Sequence, residues 1–202
     1  KSIDFNHEKE DFYFNATAGV YETLQGNYND KYEYIFPEIN LRKNLINDEK
    51  IGNLDIASNL KILNEETNKT SKFLVNDLDW DIKSFTFNSG LKTKLLAKFK
   101  NINYESKNVK NYKKDPTYEL FSAFGYLTEI DLIKETNQST KHYLKPKILA
   151  KYSPGQMKKD SEANRLNISD VFSLNRSSKN ENFETGLNFG FGFDYEIEGI
   201  EK

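Results

Sequence analysis

Two short stretches of the chain carry lysine at every second or fourth position, and they offer the clearest binding chemistry. These lysines are Lys92, Lys94, Lys98 and Lys100, and further along Lys145, Lys147 and Lys151. In extended backbone, alternate side chains lie on one face of a strand. A row of ammonium groups can hold phosphate or carboxylate through charge-assisted hydrogen bonds. Alternatively, a lysine-rich chain carries lysine on every solvated face, and the sequence leaves both interpretations open.

The sequence offers little for catalysis. The only histidines, His7 and His142, lie far apart without Ser or Asp at a motif spacing, and cysteine is absent. The absence of cysteine excludes a disulfide framework and a thiol nucleophile. We therefore expect no enzyme, no catalytic residue and no cofactor.

Carboxylates and glycines suggest two other kinds of site. Asp77, Asp79 and Asp81 alternate and could ligate a hard cation, but such spacing more often marks the wet face of a strand. We therefore expect no metal. Three glycines near the end of the chain superficially suggest a phosphate loop: Gly186, Gly190 and Gly192. They lie inside a strand pattern, however, and not between a strand and a helix. We therefore expect them to be small residues that face the interior of the barrel.

The stretch 182–198 identifies the element that has to position these groups. Its odd positions are almost all apolar and mostly aromatic, and its even positions are polar or glycine. Soluble strands usually have about five or six residues. The longer alternation is typical of a membrane β-barrel strand, with aromatic residues toward lipid and glycines and carboxylates toward a wet lumen.

The same alternation recurs along the chain and predicts about eight long strands in up-and-down order. Pro37, inside one of them, indicates an edge or a bulge. We predict one all-β domain over residues 1–202, made of antiparallel up-and-down transmembrane β-barrel strands that belong to a larger barrel. The predicted strands cover 11–24, 32–45, 53–62, 71–82, 91–104, 118–133, 140–152 and 182–198.

Composition agrees with this fold class. Mean hydropathy is -0.78, and no stretch approaches the roughly eighteen apolar residues of a transmembrane helix. Aromatic residues make up 14% of the chain, and the formal net charge of -2 gives no bias toward nucleic acid. The chain begins at Lys1 and stops within an alternating pattern, so we expect a piece of a longer protein.

The region from Tyr143 onward resembles a known family. YLKPKILAKYSP, then a polar loop, then NISDVFSLNRSSKNENFETGLNFGFGFDYE is similar to the C-terminal barrel of the LptD family of lipopolysaccharide-assembly outer-membrane proteins. Lys179 stands where the family usually has glycine, and Glu181 and Asn182 replace its Asp-Arg pair. The matched residues are Pro146, Tyr152 and Pro154, then Asp170, Phe172, Asn175, Arg176, Glu184 and Gly186.

The resemblance implies a transporter that inserts lipopolysaccharide into the outer leaflet of the bacterial outer membrane. It implies as partners lipopolysaccharide, outer-membrane lipid, an LptE-like lipoprotein plug and the proteins of the periplasmic bridge, and no nucleic acid. The chain would be a wall segment of the barrel. We expect Asp170, Phe172, Asn175 and Arg176 to be structural and to fix a loop folded into the barrel.

Two alternatives remain at this stage. Another outer-membrane barrel, such as a porin or a TonB-dependent receptor, has the same alternation without the 170–186 motif. A soluble β-sandwich binding protein would pack its apolar faces against each other.

Overall fold

The computed structural model describes residues 1–22, 32–65, 68–110, 112–136, 140–155, 168–177 and 179–199, and the structural statements below refer to these residues. The fold is all-β, with a single 3-10 turn at Ile168–Asp170. Its strands are β1 (Ser2–Lys9), β2 (Phe12–Glu22), β3 (Tyr32–Asp48), β4 (Gly52–Glu65), β5 (Lys69–Asp81), β6 (Phe85–Thr86), β7 (Leu91–Lys107), β8 (Thr117–Ile130), β9 (Leu132–Thr136), β10 (Thr140–Ser153) and β11 (Gly186–Gly199).

All strands belong to one antiparallel up-and-down sheet, which confirms the predicted fold class. The order across the sheet is β1-β2-β3-β4-β5-β7-β8-β10-β11, while the short β6 pairs with β7 and β9 pairs with β10. The sheet is not closed, and β1 and β11 form its two edges. The sheet has 11 strands, because each of the eight predicted strands is present, 118–133 is divided into β8 and β9, and β1 and the two-residue β6 are added.

The register separates the side chains into an apolar face and a polar face. Partners such as Phe14 and Leu41, or Leu60 and Leu74, continue the apolar face from strand to strand. On β8, β10 and β11 this face is rich in aromatic residues and exposed, and Phe191 is 82% accessible. Its exposed members there include Phe124, Tyr126, Ile148, Tyr152, Leu187, Phe189, Phe191, Phe193, Tyr195 and Ile197.

β7 and β8 are staggered relative to the strands before them. A line of register partners starts at Phe5 in the middle of β1 and reaches Tyr118, next to the start of β8. It passes through Ala16, Ile39, Leu60, Leu74 and Asn103. The line stays near the middle of each strand from β1 to β5 and lies nearer a strand end at β7 and β8, and a stagger of this kind accompanies strands that tilt relative to a barrel axis.

Irregularities in two strands have local causes. The pairing of β3 with β4 shifts register between Ile35 and Glu38, so the bulge expected at Pro37 is confirmed. The predicted strand 118–133 is interrupted and forms β8 and β9. Residues 147–152 of β10 pair with β8, and residues 140–144 of β10 pair with β9. Pro146 lies in this gap and has no N–H to donate to a neighbouring strand.

Two predictions about strand bounds were wrong. β1 was missed, because only Ile3 and Phe5 on its alternating face are strongly apolar. The last strand begins at Gly186 rather than at 182, since Gly186 has a φ of 100° and ends the extended run. Phe183 therefore does not share the exposed apolar face of β11, and it is 3% accessible.

The two clusters of buried side chains lie on the polar face. One cluster joins Val75 of β5 to Ile102 and Tyr104 of β7. A second joins Ala123 of β8 to Leu174 and Phe183, which belong to the connection between β10 and β11. Within the described ranges, no helix is long and apolar enough to cross a membrane.

Candidate functional site on the polar face

The lysine stripe of β7, which consists of Lys92, Lys94, Lys98 and Lys100, lies beside the three aspartates of β5: Asp77, Asp79 and Asp81. Register places Asp77 opposite Lys100 and Asp79 opposite Lys98. The Nζ of Lys98 lies 2.7 Å from Asp79 Oδ2, and the Nζ of Lys100 lies 3.0 Å from Asp77 Oδ2. Lys94 pairs diagonally with Asp81 at 2.5 Å. The carboxylates that could have held a metal are thus partners of the lysines, and no cluster of three metal-binding side chains occurs among the described residues.

The remaining predicted ligand contacts are also ion-paired. Asp131, in the break between β8 and β9, lies 2.6 Å from the Nζ of Lys92 and 3.0 Å from that of Lys145. Lys147 pairs with Asp194 of β11 at 2.5 Å. A ligand anion would have to compete with these carboxylates, so ligand binding by the lysine stripes stays a prediction.

Two of these lysines are buried because a segment of the β10–β11 connection covers them. We call residues 168–177 and 179–185 the strap. Lys100, whose side chain is 3% exposed, donates to the carbonyl of Asn180 in the strap at 2.6 Å. Lys151, whose side chain is 4% exposed, donates to the carbonyl of Leu174 at 3.1 Å. The strap therefore lies against the polar face and is held there by cations of β7 and β10.

The motif residues Arg176 and Glu184 fasten the strap. The guanidinium of Arg176 makes a two-point contact with the Glu184 carboxylate, with Nε 2.9 Å from Oε2. Lys151 lies 2.5 Å from the same Oε2. Arg176 also donates to the side-chain carbonyl of Asn188 on β11 at 3.2 Å. The Glu184 carboxylate thus joins two parts of the strap and binds the strap to β10. Arg176 in turn binds the strap to β11.

Electrostatics favour the ionised form of Glu184. Burial opposes ionisation, but hydrogen bonds and charge from Arg176 and Lys151 outweigh it and lower the pKa of Glu184 to about 2. The hydrogen bond with Glu184 raises the pKa of Arg176 above its usual value. Glu184 and Arg176 are therefore both charged at neutral pH.

Asn175 closes the strap into a compact turn. Its side-chain amide donates to the carbonyl of Asn182 at 3.1 Å, and its side-chain oxygen accepts from the backbone N–H of Glu184 at 3.1 Å. At the start of the strap, the carbonyl of Asp170 accepts from the N–H of Ser173 at 2.9 Å. These bonds join residues of the strap to one another.

Apolar side chains of the strap fill space that glycines and small residues leave on the sheet. The ring of Phe183 stacks on Phe121 at 5.5 Å between centroids, and Leu174 packs on Ala123. A Cβ on Gly190 would lie 2.9 Å from the carbonyl oxygen of Val171, and one on Gly192 would lie 3.2 Å from the ring of Phe172. Gly190 and Gly192 therefore lie on the polar face directly under the strap, where a larger side chain would meet Val171 or Phe172.

The first part of the motif lies elsewhere. Pro146 is in the middle of β10 opposite Phe193. Tyr152 is 55% exposed on the apolar face, and Pro154 follows the end of β10. The structure does not bring these three residues into the strap cluster, and Gly186 contributes only the backbone conformation at the start of β11.

An open groove of about 590 Å³ lies on the polar face beside the strap, and we call it the β2–β5 groove. Asn180 of the strap and Lys98 form one side of it. Sequence reasoning missed this groove, because its residues come from separate strands and only the register brings them together. Its polar lining includes Glu8, Tyr13, Asn40, Arg42, Asn44, Asp55, Asn59, Asp77 and Asp79.

Comparisons with known proteins add no identification. No protein-family model matches the chain, and no curated protein is significantly similar to it.

Proposed function

We propose that this chain is a wall segment of an outer-membrane β-barrel of the LptD type, which transports lipopolysaccharide and inserts it into the outer leaflet. In this proposal the chain is a transporter component and not an enzyme. Its apolar face meets outer-membrane lipid, and its polar face lines the wet interior of the barrel. The partners are lipopolysaccharide, an LptE-like lipoprotein plug and the periplasmic bridge proteins that the motif resemblance implies.

The exposed aromatic face of β8, β10 and β11 carries the proposal. Monomeric soluble proteins rarely expose a large continuous apolar patch, whereas barrels in lipid present one on every strand. Leu187, Phe189 and Phe193 are each at least 65% accessible on this face. The stagger at β7 and β8 also agrees with strands that tilt as they do in a barrel wall.

The position of the packed side chains argues against a soluble sandwich. A sandwich buries its apolar faces against each other. In the described part of the chain, both buried clusters lie on the opposite, polar face. Tyr112 packs on the cluster between β5 and β7, and the strap packs on the cluster at β8. The strap is also what favours the LptD type over a porin, because the residues that carry the resemblance, Asn175, Arg176 and Glu184, fold together there.

Photocrosslinking in cells tests the proposal. A photoreactive residue would be placed at Tyr13, which lines the β2–β5 groove, at Lys98, or at the outward-facing controls Phe189 and Phe191. We expect lipopolysaccharide adducts from the first two positions and phospholipid adducts from the controls. A protein that sits folded in the outer membrane but gives no saccharide adduct at Tyr13 or Lys98 would contradict lipopolysaccharide as the cargo.

A further inference from the structure

Arg42 differs from every lysine of the two stripes. It lies on β3 between Tyr13 of β2 and Ala57 of β4, which are its direct register partners. Its side chain is exposed in the β2–β5 groove. Among the described residues, no carboxylate lies within ion-pair distance of it and no group accepts a hydrogen bond from it, whereas Lys92, Lys94, Lys98, Lys100, Lys145, Lys147 and Lys151 each have a carboxylate partner.

A free guanidinium is suited to one kind of ligand. Its planar fork of N–H donors matches a carboxylate or phosphate in two parallel hydrogen bonds. An anion can bind Arg42 without displacing a protein carboxylate, which it would have to do at any of the stripe lysines. Ala57, its register partner in the groove, carries only a methyl group.

The polar groups around Arg42 can form hydrogen bonds with the hydroxyl groups of a ligand. The amide of Asn59 donates to the side-chain oxygen of Asn40 at 2.7 Å, which leaves the amide N–H groups of Asn40 available to a ligand. Tyr13 offers an aromatic face and a phenolic hydroxyl. Asp55, which accepts from Asn44 at 2.9 Å, is a further acceptor in the groove.

The charges in the groove limit how anionic the ligand can be. Lys98 and Lys100 neutralise Asp77 and Asp79. Asp55 is hydrogen-bonded to amides and not to a cation, and the lining also includes Glu8, Glu10 and Asp11, which have no ion pair among the described residues. The groove therefore suits a ligand with one acidic group at Arg42 and hydroxyl groups elsewhere, and it disfavours a polyphosphate.

We propose that the β2–β5 groove binds a sugar chain through one acidic sugar unit, with Arg42 holding its carboxylate or phosphate and Tyr13 and Asn40 contacting its hydroxyl groups. This inference rests on the proposed function, and it assigns recognition of the anion to Arg42 rather than to the lysine stripes.

The test measures sugar binding to the full protein in detergent micelles by calorimetry or NMR. The probes are a disaccharide that ends in glucuronate and the matching neutral disaccharide. Arg42→Gln removes the charge, Arg42→Lys keeps it without the fork, and Lys94→Gln is the control, since Lys94 lies outside the groove. Because Arg42 is exposed and makes no polar contact with the described residues, its substitution leaves the fold intact.

We expect the wild type to prefer the acidic probe. Arg42→Gln should weaken that binding by about tenfold and abolish the preference, with Arg42→Lys in between. Asp55→Asn should strengthen acidic-probe binding, and Lys94→Gln should change neither probe. Absence of any preference in the wild type, or an unchanged preference in Arg42→Gln, would overturn the inference. Neither result affects the barrel proposal. That proposal is tested separately, by measuring whether the apolar face contacts lipid.

Discussion

Lys151 on β10 and Glu184 in the strap form an ion pair of 2.5 Å that is nearly closed to solvent, with side chains 4% and 16% exposed. The same carboxylate holds Arg176. This shared anion fixes the strap on the polar face and thereby defines one side of the β2–β5 groove. The attachment of the strap is therefore the feature that can be tested most sharply by substitution.

Replacing Glu184 with Gln should loosen the strap and destabilise the protein by roughly 3 kcal/mol, because Lys151 would remain buried without its counter-charge. Denaturant unfolding in detergent micelles would measure the free energy of unfolding, and protease cleavage within residues 168–177 would report on the strap.

Glu105→Gln is the matched control for that substitution. Glu105 pairs with Lys72 at 3.4 Å, but both side chains are about half exposed, at 50% and 51%. Because water screens this ion pair, Glu105→Gln should change the free energy of unfolding by less than about 0.5 kcal/mol. Equal effects of the two substitutions would contradict a buried anchor at Glu184.

The strap should also detach in acid. The pKa of Glu184 is lowered from 4.5 to about 2 in the folded protein. Its stabilising contribution is thus fully present above the unfolded pKa near 4.5 and is lost as pH falls from there toward 2. The chain has no cysteine, so Ser169→Cys can carry a single spin label whose mobility reports detachment.

In this spectroscopic titration we expect the label to become mobile between about pH 4.5 and pH 2. The Glu184→Gln variant should show a mobile label at every pH and no transition. A transition that persists unchanged in Glu184→Gln would assign the acid sensitivity to a different carboxylate.

Gly190 should tolerate no side chain while the strap is in place. A methyl group there would lie 2.9 Å from the backbone oxygen of Val171, and backbone cannot rotate away as a side-chain end can. Gly190→Ala should cost about 1 to 3 kcal/mol by overpacking and should raise cleavage of the strap. Gly199→Ala, where nothing lies within 4 Å, should leave stability and cleavage unchanged, and equal cleavage of both variants would count against strap contact at Gly190.

Alternation sufficed to predict most of the fold. It depends only on which residues face water, so it identified strands such as β7 and the exposed aromatic face of β11. It failed where tertiary contacts replaced solvent. Phe183 continues the alternating pattern of β11, but it belongs to the strap and packs on Phe121 of β8. It also missed β1, whose apolar side is short.

The site was less predictable because it depends on register. Asp77 and Lys100 each appeared in the sequence as part of a wet face, and nothing local indicates that they lie opposite each other. The freedom of Arg42 is likewise a property of its neighbours, Tyr13 and Ala57, neither of which carries a negative charge. A shift of one residue in strand pairing would change these partners entirely.

The most direct test of the central claim is tryptophan quenching in lipid bilayers. In a Trp80→Phe background, which removes the only tryptophan, a single tryptophan would be placed at Phe191 on the apolar face or at Tyr13 on the polar face. The account predicts that brominated lipid quenches the tryptophan at 191 and that aqueous iodide quenches the one at 13. Quenching of position 191 by iodide and not by brominated lipid would contradict a membrane-facing wall.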